Sequence, residues 1–459
     1  MSLLVTSLPF VPALARLAII PLALLFSGSC SLALELNQCV SAEDCGAASQ
    51  CIDGLCKEND VVRVTNHIVE DTVWRADTVY MLTDIVMVVA PATLTIEPGT
   101  QILAERNAGL VSLNGAKLIA DGRRDAPIVF TSAKPPGQRL AGDWAGLALV
   151  GRAPTNRTPF NLRIQSDQDT SVGGTDETWD CGTLRYVRVE FGGAEVNGNK
   201  ALNGITLAGC GSDTTVEYVQ THLSDDDGIA IFGGSVDLRY AVSTRAQDDG
   251  IDIDTGWRGT AQFLAIQQDI NSHEAIEIEN LSEAPDALPQ TDARIFNYTV
   301  LGFDRRGDRQ RGIYFKLGGQ GLLSHGIVIG QDASGLHIEG PHAIDHAQQG
   351  RLLVENTLFF NQGEDGESYF EADQAGENPS LGDYSMFQDP STHNRFGLDP
   401  GFSSPYNLSN PSWVPLSEHT TDRDLERPPE GFDPTAVYLG AFSPSASPWT
   451  EGWTSYPLN

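Results

Sequence analysis

The residues best placed to do chemistry are carboxylates that recur at regular intervals. Asp226 and Asp227 precede the run GIAI, Asp248 and Asp249 precede GIDI, and His273 and Glu274 precede AIEI. These runs belong to a series: GITL at Gly204, GIAI at Gly228, GIDI at Gly250, AIEI at Ala275, GIYF at Gly312 and GLHI at Gly335, at steps of 24, 22, 25, 37 and 23 residues. Successive side chains on a strand point to opposite faces, so the two aliphatic residues of each run share one face. If the runs stack as parallel strands, the other face carries a column of Thr206, Ala230, Asp252, Glu277, Tyr314 and His337. A second column beside it holds Ala208, Phe232, Asp254, Glu279, Lys316 and Glu339. Rungs of a parallel sheet lie about 4.8 Å apart. At that distance Asp252 and Glu277, like Asp254 and Glu279, repel and raise each other's pKa unless a cation or donor intervenes.

Such a face suits a hard cation. Calcium takes six to eight oxygen ligands, and Asp226, Asp248, Asp252, Asp254, Glu277 and Glu279 are the candidate ligands, with Asp227, Asp249, Lys316 and His337 completing the acidic face. No EF-hand loop or calcium-binding nonapeptide accompanies them. Carbohydrate chemistry is the alternative, since glycosidases need two carboxyls about 5–9.5 Å apart. A lyase would use calcium to acidify a uronic acid, with Lys316, Arg311 or His337 as base. Trp257, Phe232 and Tyr314 read as exposed aromatics that could stack on sugar rings. The plainer reading is turn chemistry: Asp accepts local backbone hydrogen bonds, and Gly228 and Gly250 permit unusual backbone angles.

From Val61 onward the chain consists of short β-rich runs punctuated by Gly, Asn and Asp, without a sustained helical period. A second series, LRYVRVE from Leu184, VEYVQTH from Val216, VDLRYAVS from Val236, QFLAIQQ from Gln262 and RIFNYTVLG from Arg294, runs in phase with the first. A period in the low twenties with three strand-like runs per unit predicts one coil of a parallel β-helix. A propeller would need about forty residues per unit. The stretch from Pro154 to Asp180 and that from Glu283 to Asp292 read as insertions. The sequence thus predicts an all-β, right-handed parallel β-helix with a small disulfide-rich N-terminal module. Residues 1–33 read as a signal, 34–60 as the cysteine-rich module, 61–375 as solenoid and 376–459 as a loop-rich cap, with Trp413, Trp449 and Trp453 expected to seal the solenoid's end.

The chain has 459 residues, with 29 Lys and Arg against 61 Asp and Glu and a formal net charge of -32. That field repels phosphate backbones and anionic headgroups, which excludes nucleic acid and electrostatic membrane docking and leaves cations as natural partners. Arg16, the apolar run Leu17 to Phe26, and Ser27, Gly28 and Ser29 before Cys30 form an export signal. Cleavage before Cys30 leaves a lipid-modified cysteine, the one expected membrane contact; cleavage after Ala33 releases a soluble chain. Either way Cys39, Cys45, Cys51, Cys56, Cys181 and Cys210 remain, an even count that favours disulfides in an exported protein. The first four are expected to pair within their short segment, and Cys181 with Cys210.

The segments TLTIEPGTQI from Thr93, GAKLIADG from Gly115, DWAGLALVGRAP from Asp143, YVQTHLSDDDGIAIFGGSV from Tyr218 and YLGAFSPSASPWTEGWTSYPLN from Tyr438 resemble a group of exported bacterial β-helix proteins, many of them lipoproteins. The likeness runs from about residue 78 to the C-terminus. It implies the fold and a location at the outer membrane, the cell surface or outside the cell, but carries over no catalytic residue. The expected function is a surface component that binds cations and a polysaccharide or another surface partner, with a hydrolase or lyase, or a purely structural role, as alternatives.

Overall fold

The computed structural model describes residues 60–459 apart from 166–167, 197–201, 304–308, 372–378 and 422–424, together with the backbone of a hairpin, Ser49–Ile52 against Leu55–Glu58. Cys30, Cys39 and Cys45 lie outside the described residues, as do the side chains of Cys51 and Cys56.

The chain winds into a parallel β-helix. One sheet stacks nine strands in parallel, from Ile85–Val88 through Ile229–Phe232, Ile251–Asp254, Glu274–Ile278 and Arg311–Phe315 to Ser334–Ile338. Its register aligns Ile205, Ile229, Ile251, Ile276, Ile313 and Leu336, and all six are buried in one continuous core. The second sheet carries the rest of each coil, from Asp60–Val64 to Arg395–Phe396. In its lower part Lys117–Asp121 and Ile128–Ser132 are separate strands. Both then pair with one long strand, Gly182–Glu190. Each long strand above it bends at one left-handed residue, giving a ladder of Tyr186, Tyr218, Tyr240, Phe263, Asn297, His325 and Asn356 with φ between 47° and 63°. The bend makes one strand serve two faces of the coil, which recovers the three runs per repeat. Non-glycine residues in this conformation cost roughly 1–2 kcal/mol each. Ring stacking offsets part of it: Tyr186 on Tyr218, Tyr218 on Tyr240 and Tyr240 on Phe263 lie at 4.5, 4.4 and 4.6 Å.

Two covers complete the fold. The insertion after Pro154 forms a hairpin, Asn161–Gln165 with Gln168–Ser171, and Phe160, Leu162, Ile164 and Val172 pack with Val111, Ala148 and Ala208 on the outside of the nine-stranded sheet. The C-terminal segment does not seal the solenoid's end as the tryptophans suggested. It runs along the flank, where Trp453 meets Tyr186 and Tyr218 edge-on, Trp449 meets Tyr240, and Trp413 joins Phe442 over Val242, Ala265 and Leu301. The rungs hold the segment's backbone through side chains: Gln220 both donates to and accepts from Ser455, and Asn297 donates to the carbonyls of Ala436 and Tyr438. The end itself is closed by Leu381, Tyr384 and Phe387. Cys181 and Cys210 form a disulfide between neighbouring coils, with Cα atoms 5.7 Å apart. No helix among the described residues is long and apolar enough to cross a membrane.

Candidate cation-binding cleft

The outward columns exist in the structure. Asp252 is the register partner of Glu277, Glu277 of Tyr314, and Tyr314 of His337, while Asp254 follows Phe232. Most of this outer face is covered. At the lower end Phe160 of the hairpin meets Phe232 edge-on at 6.2 Å. At the upper end the Ser380 hydroxyl bonds His337 Nε2 at 2.9 Å, and the His337 ring stacks on Tyr314 at 4.6 Å. Asp252, Asp254, Glu277, Glu279 and Lys316 occupy the strip between the two covers, and the turn residues Asp226, Asp227, Asp248, Asp249, His273 and Glu274 line one side of it.

The turns bring carboxylates together because each buried Asp caps the next coil. Asp227 Oδ1 accepts from the Asp249 N–H at 3.2 Å, and Asp249 Oδ1 accepts from the Glu274 N–H at 3.0 Å. The turn-chemistry reading therefore accounts for one oxygen of each. The glycines serve a different purpose from the one their position suggested. Neither Gly228 nor Gly250 has a positive φ; instead a Cβ on Gly228 would lie 2.6 Å from the Gly250 carbonyl and 2.0 Å from Ser243 Oγ. Close approach of successive coils, not backbone angle, is what excludes a side chain there.

Two groups of three oxygens result. Asp226, Asp227 and Asp248 form one, and Asp249, Asp252 and Glu277 the other; within each, the donor oxygens lie within 4.8 Å of one another. Either group can coordinate a divalent cation. Glu277 is 7 % exposed, and Asp252 Oδ1 is shut off from solvent without a hydrogen-bond partner. Among the described residues three basic side chains contact the cluster's carboxyls directly. Lys316 Nζ bridges Glu277 and Glu279, Arg311 spans Glu274 at 3.0 Å and Glu371 at 3.3 Å, and His273 Nδ1 contacts Asp248 at 2.8 Å. Asp226, Asp227, Asp248, Asp249, Asp252, Asp254, Glu274, Glu277 and Glu279 bring nine carboxyls onto adjoining rungs, more than the basic groups that face them among the described residues. The imbalance shows in their protonation. Burial first, then neighbouring carboxylates, push Asp227, Asp249, Asp252 and Asp254 well above the usual carboxylate range, and Glu274 rises for the same reasons. Burial alone would lower Lys316, yet Glu277 and Glu279 hold it above its ordinary value. His337 is driven by burial down to about 4 and is neutral at physiological pH.

The structure parts company with the sequence over the aromatics. Trp257 is in the core, donating from Nε1 to the Val236 carbonyl. Tyr314 is buried under its own hydrogen bond to Glu339 Oε2 at 2.8 Å, and Phe232 is half-covered by the hairpin. None is an open platform for a sugar ring. The base candidates for elimination are also occupied: Lys316 is held protonated, Arg311 is shared by two carboxylates, and His337 is buried. Sequence reasoning missed Arg157, whose charge acts on Asp254 from the insertion, and Glu371, which closes on Arg311 from beyond the last coil. No local signal marks either, because each arrives from another part of the chain. A depression of about 270 Å³ opens beside the cluster, lined by His273, Glu274, Arg309 and Arg311. A larger hollow of about 480 Å³ lies among Arg63, Glu105, Lys134 and Asp143, whose charges pair with one another.

A family model described as a pectate-lyase-like β-helix domain matches residues 66–385, and the chain belongs to that family. Comparison with curated proteins and with solved structures finds no match.

Proposed function

We propose that this is an exported cell-surface β-helix protein whose acidic cleft holds divalent cations, calcium foremost, and through them engages a polysaccharide or another surface component. The observation that carries the reading is the excess of crowded carboxyls over cations on adjoining rungs. A divalent ion relieves that repulsion by joining oxygens of neighbouring carboxyls. Both triads offer only hard oxygen ligands, which suits calcium. The cleft spans the rungs of Asp252, Glu277 and Lys316, a length on the order of 10 Å at the usual strand spacing. Without an aromatic platform, recognition of a glycan there rests on polar groups and the bound cation. The family's likeness to pectate lyases supports a carbohydrate partner by analogy of fold. Export is supported by the signal-like N-terminus.

An enzymatic reading, as glycoside hydrolase or polysaccharide lyase, has one observation in its favour: a carboxyl pushed above its usual range by burial and by neighbouring carboxylates is what a general acid needs. Against it stand the engaged cationic side chains and the buried His337.

The test is calcium-dependent stability. Ligand binding to the native state stabilises by RT ln(1 + [L]/Kd), about 2.7 kcal/mol at a hundredfold excess over Kd. Calcium should raise the unfolding midpoint of the wild type, and the double substitution Asp249→Asn with Asp252→Asn should cut that increment to what the group of Asp226, Asp227 and Asp248 supplies, while keeping the hydrogen bond to Glu274. A glycan array read with calcium and with chelator, followed by product analysis of each hit, separates binder from enzyme. A wild-type midpoint indifferent to calcium would end this proposal.

A further inference from the structure

Outside the cleft, the loop between the strands Glu274–Ile278 and Asp292–Leu301 meets the helix Pro341–Gln348. The helix starts with Pro341, where no backbone N–H is needed, and turns Ala343, His346 and Ala347 inward. His342 and His346 stand four residues apart and so share one side of it. His346 is 2 % exposed, whereas His342 is half-exposed. The loop is fixed by its backbone: Asn280, completely buried, donates from Nδ2 to the carbonyls of Pro285 and Ala287 at 2.9 and 3.2 Å, on either side of Asp286. Gly318 leaves room for it, since a Cβ there would collide with the Pro285 carbonyl and touch His342 Cβ at 3.4 Å. Asp286 Oδ2 thereby comes to 3.4 Å from His342 Nε2. Two ligands of a tetrahedral zinc ion, each bound at about 2.0–2.2 Å, stand about 3.4 Å from one another.

His346 supplies an independent sign. Its ring is hydrogen-bonded to the Gly319 backbone, while its Nδ1 is shut off from solvent without a hydrogen-bond partner among the described residues. Leaving a buried polar nitrogen bare is costly. A ring anchored at one nitrogen by the backbone and free at the other is how metal-ligating histidines are commonly held. Burial lowers the pKa of His346, so the ring is neutral as a ligand must be, and the charges of Asp286 and His342 both act on it from nearby.

We propose that His342, His346 and Asp286 form a site for a divalent transition metal, zinc above all, separate from the acidic cleft. Two histidines at i and i+4 on one helical face form a pair that holds zinc elsewhere, and Asp286 brings the third ligand from another part of the chain. Two nitrogen donors distinguish the site from the cleft, whose oxygens suit calcium. Binding turns the side chains of His342 and Asp286 toward Nδ1 of His346 and ties the loop to the helix. Three protein ligands leave a fourth position for water or for a donor from outside.

Calorimetric titration of the full-length chain with zinc, in excess calcium so that the cleft is occupied, tests this. The wild type should bind zinc, and so should His419→Ala, which removes an exposed histidine elsewhere. Affinity should fall at least tenfold in His342→Ala and in Asp286→Asn, two changes outside the core whose unfolding midpoints in chelator should match the wild type. His346→Gln, which keeps a donor for the Gly319 backbone, should lose zinc as well. Equal zinc affinity in the wild type and His342→Ala overturns the proposal. Zinc that calcium displaces belongs to the acidic cleft and overturns it equally.

Discussion

Replacing Lys316 by Met probes the electrostatics of the cleft most directly. The Lys316 side chain is 28 % exposed, and its partners Glu277 and Glu279 are 9 % and 19 % exposed. Removing one partner of a fully buried ion pair costs about 3–5 kcal/mol, whereas an exposed pair contributes under about 1 kcal/mol. This pair lies towards the buried end of that range, so the expected loss is about 2–4 kcal/mol at pH 7.5. Met retains the length of the apolar stem, which keeps lost packing out of the difference. The assay is urea unfolding followed by circular dichroism, in chelator and in calcium. In chelator the variant should unfold at lower urea than the wild type. In calcium most of the gap should close, and the calcium increment should be larger in the variant because the tethered ammonium no longer competes with the ion for Glu277 and Glu279. Equal stability in chelator would refute the claim that Lys316 compensates these carboxylates. A calcium increment no larger than that of the wild type would refute the claim that ion and ammonium share the same oxygens.

Two further outcomes follow from the same physics and from the flank. Asp227, Asp249, Asp252, Asp254 and Glu274 have raised folded-state pKa values, so above about pH 4 the native state binds more protons than the unfolded chain. Their contribution to stability is present at low pH and is lost as pH rises through the raised values. Calcium must displace those protons. Its stabilising increment should therefore be small at about pH 4.5 and grow toward about pH 7.5 in paired melts, and a pH-independent increment would contradict protonated ligands. On the flank, Trp453 is 1 % exposed and lies edge-on to Tyr186 and Tyr218. Trp453→Ala should destabilise by about 3–5 kcal/mol in urea with loss of near-ultraviolet dichroism. A loss below about 1 kcal/mol would mean that the C-terminal segment adds little to the fold.

What could be read in the sequence was whatever alternation and period encode. The tetrapeptide register emerged residue for residue, from Ile205 to Leu336 in the core and from Asp252 to His337 outside it, because a strand leaves each side chain only two directions and a solenoid repeats the choice. What escaped reading was everything that one part of the chain lays upon another. Phe160 and Leu162 sit in a stretch that looks like a polar insertion, yet they cover a sheet; Trp257 looks like an exposed aromatic and is a core residue; Trp453 looks like an end plug and lies on the flank. Hydrophobic residues outside a periodic pattern announce burial but not the surface on which they are buried. The bend at Tyr218 was equally silent, since Tyr has no preference for φ > 0 and takes it up only because its neighbours in the ladder do the same.

The same distinction explains why the cleft is a better functional candidate than any motif in the chain. Elsewhere on the outer face, rungs that carry apolar residues such as Ala148, Ala208 and Phe232 are covered by the hairpin, and His337 is covered by Ser380. Covering satisfies those rungs. The rungs of Asp252 and Glu277 carry like charges in register, an arrangement that local strand chemistry disfavours, and no segment among the described residues supplies enough positive charge to balance them. Lys316 and Arg311 reach in from the next coil and still leave the carboxyls in excess. A fold that is consistent at every other level and crowds like charges along one strip places that strain where something from outside can relieve it. Given hard oxygen donors, two groups of three within coordinating distance and a surface that is negative overall, a divalent cation completes it with the fewest further assumptions.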